Sequence, residues 1–208
     1  MALYKTLIVN PVTKVLIWNI TESLDELLSG VTLTPSSTER LQGMKSDLHQ
    51  KGFVSVRHLL KEVGYNDDDL LYDGFGKPHL KDGKHISITH SFTFSGVIIS
   101  DSEVGIDIEK QRDKIAIIAK KFVEYEFEYL KETDAKYINK LTVIWGIKES
   151  LYKLFATPGM LFKAHFLVIP FTIEDGKTVA WIDYKGLKKR YNTEFLEFEG
   201  FTCAYALG

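Results

Sequence analysis

One stretch late in the chain carries two charged residues at a spacing that could do chemistry. Glu149 and Lys153 are four residues apart, so on a helix their side chains lie on one face. Apolar residues recur at helical spacing and form a separate stripe, made of Ile144, Ile147, Leu151, Leu154 and Phe155. The pair could take a proton and offset negative charge, or it could be a solvated ion pair on the surface of a helix.

Two acids interrupt an apolar strand upstream of this helix. Strand side chains alternate between two faces, so Asp107 and Glu109 share one face while Ile106 and Ile108 share the other. Carboxylate oxygens of this kind suit Mg²⁺, which commonly takes one or two protein carboxylates. The alternative is an edge strand with a polar outer face.

A third stretch places a cation and small polar residues at a turn and a strand end. Lys77 lies in a Gly-Lys-Pro turn, and residues 86–91 read as a short strand that ends in Thr89, His90 and Ser91. Hydroxyls, backbone N–H groups and a histidine can hold phosphate oxygens. On its own, His90 also fits an ordinary half-buried histidine.

Between the acidic strand and the Glu149 helix, residues 113–131 are predicted to be helical. Helical phase puts Phe122 and Glu126 on one face. The alternative for Glu126 is a solvent-exposed acid.

In this order and at these separations, the motifs resemble the 4′-phosphopantetheinyl transferase superfamily, in particular its larger, surfactin-synthetase-activating type. The resemblance covers residues 76–155. One departure is Thr89, where the family commonly has serine, and threonine keeps the hydroxyl. The matching motifs are Gly76-Lys77-Pro78, Thr89-His90-Ser91, Gly105 to Glu109, Phe122 to Glu126, and Trp145 to Lys153.

The resemblance implies an α+β fold built from two pseudo-symmetric halves. Each half is expected to be a small antiparallel sheet packed with helices, with the active site between the halves. We place the boundary near residue 110, which gives an N-terminal half of residues 1–110 and a C-terminal half of residues 111–208. Because the chain carries both halves, we expect a monomer.

The resemblance also implies an activity, which is Mg²⁺-dependent transfer of 4′-phosphopantetheine from coenzyme A (CoA) to a serine of an acidic apo carrier protein. Adenosine 3′,5′-bisphosphate would leave. Asp107, Glu109 and Glu149 would hold the metal. Glu149 would take the serine proton, directly or through a metal-bound water, with Glu126 as the other candidate base. Lys153 would offset charge on the phosphate.

Further residues are implied to bind CoA. They are Lys77, Thr89, His90 and Ser91. Lys148 could contact a phosphate too, although helical phase turns it toward the apolar stripe. Arg40, Lys51 and Arg57 are available for the 3′-phosphate, and we prefer Arg57, whose alternative is an arginine on a helix surface.

Composition argues against several classes of partner. The net charge of −2 gives no basic excess for nucleic acid or an anionic membrane. A single cysteine, Cys203, cannot form an internal disulfide, which suits a reducing compartment. No apolar run approaches a membrane span, and the N-terminus lacks signal-peptide anatomy, so we expect a cytoplasmic protein.

Two other functions use the same residues. A metal-dependent phosphohydrolase acting on CoA or a nucleoside diphosphate would use the same acids with water as the nucleophile. A non-catalytic module would bind CoA or a carrier without transfer. The type of carrier stays open among fatty-acid, polyketide, peptide-synthetase and aminoadipate-reductase carriers, and so does the acceptance of acyl-CoA.

Overall fold

The computed structural model describes residues 3–208, which form two compact units. The first unit ends at Ser102 and the second begins at Glu103. The predicted division near residue 110 falls one strand later, because the strand Val104–Lys110 pairs with the C-terminal strand of the second unit. The predicted α+β class with two antiparallel sheets is confirmed. The location of a site between the halves stays a prediction.

The first unit is a six-stranded antiparallel sheet with three helices. Its spatial strand order is β1-β2-β6-β5-β4-β3. The strands are β1 (Leu3–Asn10), β2 (Thr13–Asn19), β3 (Leu70–Tyr72), β4 (Pro78–Leu80), β5 (His85–Ser91) and β6 (Phe94–Ser100). The helices are α1 (Leu24–Ser29), α2 (Pro35–Gln42) and α3 (Asp47–Lys61).

Local chemistry starts each of these helices. Ser23 forms a capping box with Glu26 ahead of α1, and Thr34 caps α2, which has proline in its first turn. The apolar face of α3 then packs on the sheet through Phe53, Val56 and Leu60, which are buried. Packing of this amphipathic face, rather than helix propensity, supplies most of the stability of such a helix.

The second unit is a five-stranded antiparallel sheet of order β7-β11-β10-β9-β8. The strands are β7 (Val104–Lys110), β8 (Phe166–Val168), β9 (Lys177–Tyr184), β10 (Leu187–Phe198) and β11 (Phe201–Leu207). The helices are α4 (Lys114–Ile118), α5 (Tyr137–Phe155) and α6 (Phe162–His165).

Helix α5 lies against β7 and β11 at close range. A side chain on Gly105 of β7 would place its Cβ only 1.8 Å from the carbonyl oxygen of Ser150. Glycine at this position therefore allows the backbones of strand and helix to approach. Helix α5 ends at Ala156, which adopts a left-handed backbone (φ 47°) and donates its N–H to the Tyr152 carbonyl.

The predicted helix over residues 113–131 is wrong in its length. Only α4 is α-helical, and short 3₁₀ turns follow it at Ala119–Lys121 and Tyr125–Glu128. One reason is that the carbonyl of Phe122 accepts a hydrogen bond from the buried ammonium of Lys148 on α5 (2.7 Å). A tertiary contact thus replaces helical hydrogen bonding there.

Within residues 3–208, no helix combines the length and the apolar character needed to cross a bilayer.

Candidate active site

Strand β7 presents both of its acids to helix α5. The alternation predicted from the sequence is present, since Ile106 and Ile108 are buried on the other face. Asp107 is only 5 % exposed and lies opposite Ala204 of β11. Gly146 of α5 packs close to this point, with its side-chain position 4.0 Å from Asp107 Oδ2. A side chain at residue 146 would crowd Ala204 of β11, whose Cβ would lie 3.1 Å away, so glycine allows α5 to approach the strand beside Asp107.

Helix α5 carries two functional-site candidates and their neighbour on one face. Trp145, Glu149 and Lys153 repeat every four residues. The ammonium of Lys153 donates to Asp107 Oδ1 (2.7 Å) and to the carbonyl of Ile106 (2.9 Å). The ion pair of Lys153 therefore joins helix to strand, so the alternative of a solvated Glu149–Lys153 surface pair is wrong.

The acids of this face repel one another. Burial, then the charge of Asp107, raises the pKa of Glu149 to about 7, against the opposing effect of Lys153. Burial, and then Asp107, also raises the pKa of Glu109, while a hydrogen bond from Trp145 lowers it. Each acid thus feels uncompensated negative charge nearby, which an added cation would relieve.

The carboxylate oxygens of Asp107, Glu109 and Glu149 are of the type that binds a hard divalent cation, although the three side chains are not close together. Among the described residues, no three His, Cys, Asp or Glu side chains are grouped closely enough to hold a metal ion. Mutual repulsion acts over a longer range than coordination and keeps like charges apart when no cation lies between them. Carboxylate oxygens are the ligands that Mg²⁺ prefers.

The first unit contains a separate cationic and aromatic pocket. His90, at the end of β5, lies beside His49 of α3, with ring centroids 5.7 Å apart. Arg40 lies over the ring of Tyr72, with its guanidinium carbon 4.6 Å from the centroid. These four side chains line a cavity of about 210 Å³. Its imidazoles and guanidinium can donate to an anion, and its rings can stack on a base.

Other predicted CoA-binding residues are placed differently. Thr89 and Ser91 flank His90 on β5 and are buried. Because strand side chains alternate, they lie on the opposite face from His90. Lys77 follows Gly76 in the turn between β3 and β4, where Gly76 has a positive φ of 84°. The structure therefore brings His90, but neither hydroxyl, to the cavity beside α3.

Comparison with known proteins gives a consistent picture. The family model of the 4′-phosphopantetheinyl transferase superfamily matches residues 103–206, half of the chain. The chain belongs to this superfamily. It is similar to 4′-phosphopantetheinyl transferase gsp of Aneurinibacillus migulanus, at 29% identity over 71% of this chain and 62% of that protein. It is also similar to Enterobactin synthase component D of Salmonella typhimurium, at 31% identity over 52% of this chain and 47% of that protein. The chain therefore spans less than two thirds of each relative.

In this member of the superfamily, Lys148 points into the interior of the second unit. Its side chain is fully buried, and its ammonium contacts Glu126 Oε1 (2.8 Å) and the carbonyls of Phe122 and Phe162. The prediction that Lys148 binds CoA is corrected on this ground, because its donors are used inside the protein. The helical phase had already indicated this direction.

Glu126 is the buried partner of Lys148, and this corrects the alternative of a solvent-exposed acid. It is 0 % exposed, and Oε1 also accepts the N–H of Val168 (2.9 Å). A carboxylate enclosed in this way cannot reach a substrate hydroxyl. The pair instead ties the turn after α4 to α5 and to β8.

Arg57 is also internal in this superfamily member. Its guanidinium forms an ion pair with Asp67 (2.8 Å), donates to the carbonyl of Phe53 and to Ser37, and lies 3.5 Å from the Phe53 ring centroid. The alternative of a surface arginine is corrected, because Arg57 is buried. Arg57 also lines the cavity beside His90, so its role at the 3′-phosphate stays a prediction. Sequence reasoning did not identify Asp67 as the partner of Arg57, because Asp67 follows α3 in a 3₁₀ turn and no local spacing links the two residues.

Sequence reasoning missed His49 as a neighbour of His90, and it offered Arg40 only as one of three cations available for the 3′-phosphate. Their spacing on α2 and α3 carries no pattern that points to β5. One signal was present, since Gly52 in the middle of a helix is unusual. Its side-chain position lies only 3.1 Å from the ring of His90, so glycine leaves space for the imidazole.

Proposed function

We propose that this chain transfers 4′-phosphopantetheine from CoA to a serine of an apo carrier protein in a Mg²⁺-dependent reaction. One observation carries the proposal. Asp107 and Glu109 of β7 face Glu149 and Lys153 of α5, and within residues 3–208 no ion pair joins Glu149 to a cation in the way that Lys153 is joined to Asp107. Membership of the superfamily supports the same reaction.

The three carboxylates supply the metal-binding part of the proposal. Asp107, Glu109 and Glu149 would hold Mg²⁺ through oxygen donors. When bound, the metal supplies Lewis acidity and a template for the diphosphate of CoA. The mutual repulsion of the acids then becomes attraction toward a common cation.

Glu149 is the proposed general base. Its pKa of about 7 refers to the metal-free protein, and bound Mg²⁺ would lower that pKa, so the carboxylate is ionised and able to accept a proton near neutral pH. The serine oxygen forms a bond to the phosphorus on the pantetheine side of the CoA diphosphate. The bond to the bridging oxygen breaks, adenosine 3′,5′-bisphosphate leaves, and the serine proton passes to Glu149. Lys153 offsets negative charge that develops on the phosphate oxygens.

The pocket of the first unit is the proposed site for the adenosine 3′-phosphate end of CoA. His90, His49 and Arg40 provide donors for a phosphate, and Tyr72 provides a ring. Lys77, Thr89 and Ser91 remain proposed contacts of CoA. A cytoplasmic, monomeric enzyme and an acidic carrier also remain parts of the proposal.

The direct test is to incubate the protein with CoA, MgCl₂ and a panel of apo carrier proteins, and to read each carrier by intact mass. The expected result is the addition of one phosphopantetheine group to at least one carrier, and its loss in the Asp107→Ala variant. Cleavage of CoA without any carrier would support the phosphohydrolase instead. Tight CoA binding with no transfer to any carrier would support a binding module.

A further inference from the structure

Strands β8, β9 and β10 carry a row of three side chains on the face of the sheet that points away from the core of the second unit. Leu167 of β8 pairs with Trp181 of β9, and Trp181 pairs with Arg190 of β10. Directly paired residues of antiparallel strands point to the same face, so the three side chains are neighbours. Trp181 is 37 % exposed, Arg190 is exposed and Leu167 is partly exposed. We call these three residues the Trp181 row.

The hairpin that carries two members of this row has a well-defined turn. Its loop is the pair Lys185-Gly186, which joins the paired residues Tyr184 and Leu187. Both loop residues have a positive φ, of 50° and 84°. This combination is typical of a type I′ turn, whose twist matches that of the flanking strands and fixes their register. The relative positions of the residues in the Trp181 row are therefore set before any partner binds.

The cations of this hairpin differ in their partners. Lys188 forms an ion pair with Asp183 (3.0 Å), and Lys189 lies 4.0 Å from a carboxylate oxygen of Glu103. Among residues 3–208, no acidic side chain forms an ion pair with Arg190. The cation that lies beside the exposed indole is therefore the one whose charge is not balanced within the second unit.

This combination fits one class of partner better than others. A guanidinium offers a planar fork of donors that matches a carboxylate, and Trp and Arg are the residues that dominate the centres of protein–protein interfaces. Nucleic acids and anionic membranes instead need several unpaired cations, whereas Lys188 and Lys189 already have carboxylate partners. The chemistry that fits is an aspartate or glutamate with an apolar side chain beside it.

The Trp181 row lies on the opposite face of the sheet from the acids of the candidate active site. Asp107 pairs with Ala204, and Ala204 pairs with Phe195 of β10, so Phe195 shares the face of Asp107. Arg190 is an odd number of residues from Phe195 on the same strand and points the other way. The row is therefore a surface separate from the one that would carry out phosphopantetheine transfer.

We propose that the Trp181 row docks an acidic segment of a partner protein, with a carboxylate on Arg190 and an apolar side chain on Trp181 and Leu167. The proposal goes beyond the proposed transferase reaction and does not depend on it.

The test measures binding of two labelled polymers by fluorescence anisotropy. Poly-glutamate supplies carboxylates alone, and a random copolymer of glutamate and tyrosine supplies carboxylates next to rings. We expect the wild-type protein to bind the copolymer more tightly than poly-glutamate, because only the copolymer can cover the indole. Duplex DNA and phosphatidylserine vesicles are titrated in the same buffer and should bind more weakly than the copolymer.

Four variants show which feature of the surface is responsible. Arg190→Lys keeps the charge and loses the planar fork, so copolymer binding should weaken roughly tenfold. Arg190→Gln should weaken it at least as much. Lys189→Gln is the matched control, because it removes the same charge from the adjacent position, which points to the other face. Trp181→Thr, which keeps a residue suited to a strand, should remove the preference for the copolymer over poly-glutamate.

Several results would overturn the proposal. They are a wild-type protein that does not bind the copolymer, wild-type affinity in Arg190→Lys, equal losses in Arg190→Gln and Lys189→Gln, and tighter binding of DNA or vesicles than of the copolymer. The arginine variants replace an exposed side chain, and circular dichroism confirms their fold, so the test does not depend on whether Trp181→Thr folds. No CoA, Mg²⁺ or carrier protein is present, so the result is also independent of whether the proposed transfer occurs.

Discussion

Replacing Glu149 by glutamine should make the metal-free protein more stable at pH 8. The folded-state pKa of Glu149 is raised from 4.5 to about 7, chiefly by burial and then by Asp107. A raised pKa means that the folded protein binds the proton more tightly than the unfolded chain does. The stability that this proton confers is fully present below pH 4.5 and is lost as the pH rises through about 7. Glutamine is neutral throughout and avoids this loss.

The size of the effect can be bounded from the pKa. A rise from 4.5 to about 7 corresponds to at most about 3.5 kcal/mol, since one pKa unit is worth about 1.4 kcal/mol. Water reaches part of the Glu149 side chain and screens its charge, which reduces the expected gain to about 1–2 kcal/mol. Near pH 4.5, where the wild-type carboxyl is mostly protonated, the two proteins should have similar stability.

The assay is urea unfolding of both proteins at a series of pH values in the presence of EDTA. The quantity of interest is the difference in unfolding free energy between wild type and Glu149→Gln, because Glu109 contributes pH dependence of the same sign to both proteins. A difference that stays flat from pH 4.5 to 8, or that favours the wild type at pH 8, would refute the electrostatic reasoning. With CoA and MgCl₂ added, the order should reverse, since only the wild type keeps all three carboxylates.

Three further substitutions separate the roles of neighbouring residues. Lys153→Met should lower kcat and should also destabilise the metal-free protein at neutral pH, because Asp107 is left buried without its cation. Steady-state kinetics measures the first effect and chemical denaturation the second. Unchanged stability would contradict the ion pair. Lys148→Met should lower the free energy of unfolding by about 3–5 kcal/mol, because Glu126 is left charged and unpaired. Adding Glu126→Leu to Lys148→Met should recover much of that loss in thermal melts. Additive effects of the two substitutions would contradict the coupling. Gly52→Ala should raise the KM for CoA, because the added methyl group crowds His90. Helix propensity alone would stabilise this variant by up to about 1 kcal/mol. An unchanged KM would argue against His90 as a CoA contact.

The parts of the site that local periodicity governs could be read from the sequence. Strand alternation predicted that Asp107 and Glu109 share a face, and helical spacing predicted the same for Glu149 and Lys153. The partner of Lys153 could not be read in this way. The spacing of four residues suggested Glu149 as the partner of Lys153. The structure instead pairs Lys153 with Asp107, and this contact depends on how α5 lies on β7.

The buried ion pairs show the same limit more clearly. Lys148 and Arg57 are cations, and composition alone favours placing cations at a surface or at a phosphate. What places them inside is a carboxylate from elsewhere in the fold, Glu126 for the lysine and Asp67 for the arginine. The helical phase of Lys148 pointed inward, and the superfamily resemblance outweighed that signal. Residues 113–131 likewise carry helical character that these tertiary contacts override.

The unequal treatment of the acids on this face explains why a cation would be drawn to one place. Lys153 donates to Oδ1 of Asp107, and Trp145 lies one helical turn before Glu149 on the same face of α5. Glu149 lies between these two residues along the helix, and its raised pKa shows that the nearby lysine does not compensate the burial and repulsion it experiences. The position that is least favourable for a negative charge in the metal-free protein is therefore the one where a divalent cation gains the most. In the proposed reaction the same carboxylate accepts the serine proton, and in the metal-free protein its pKa is about 7.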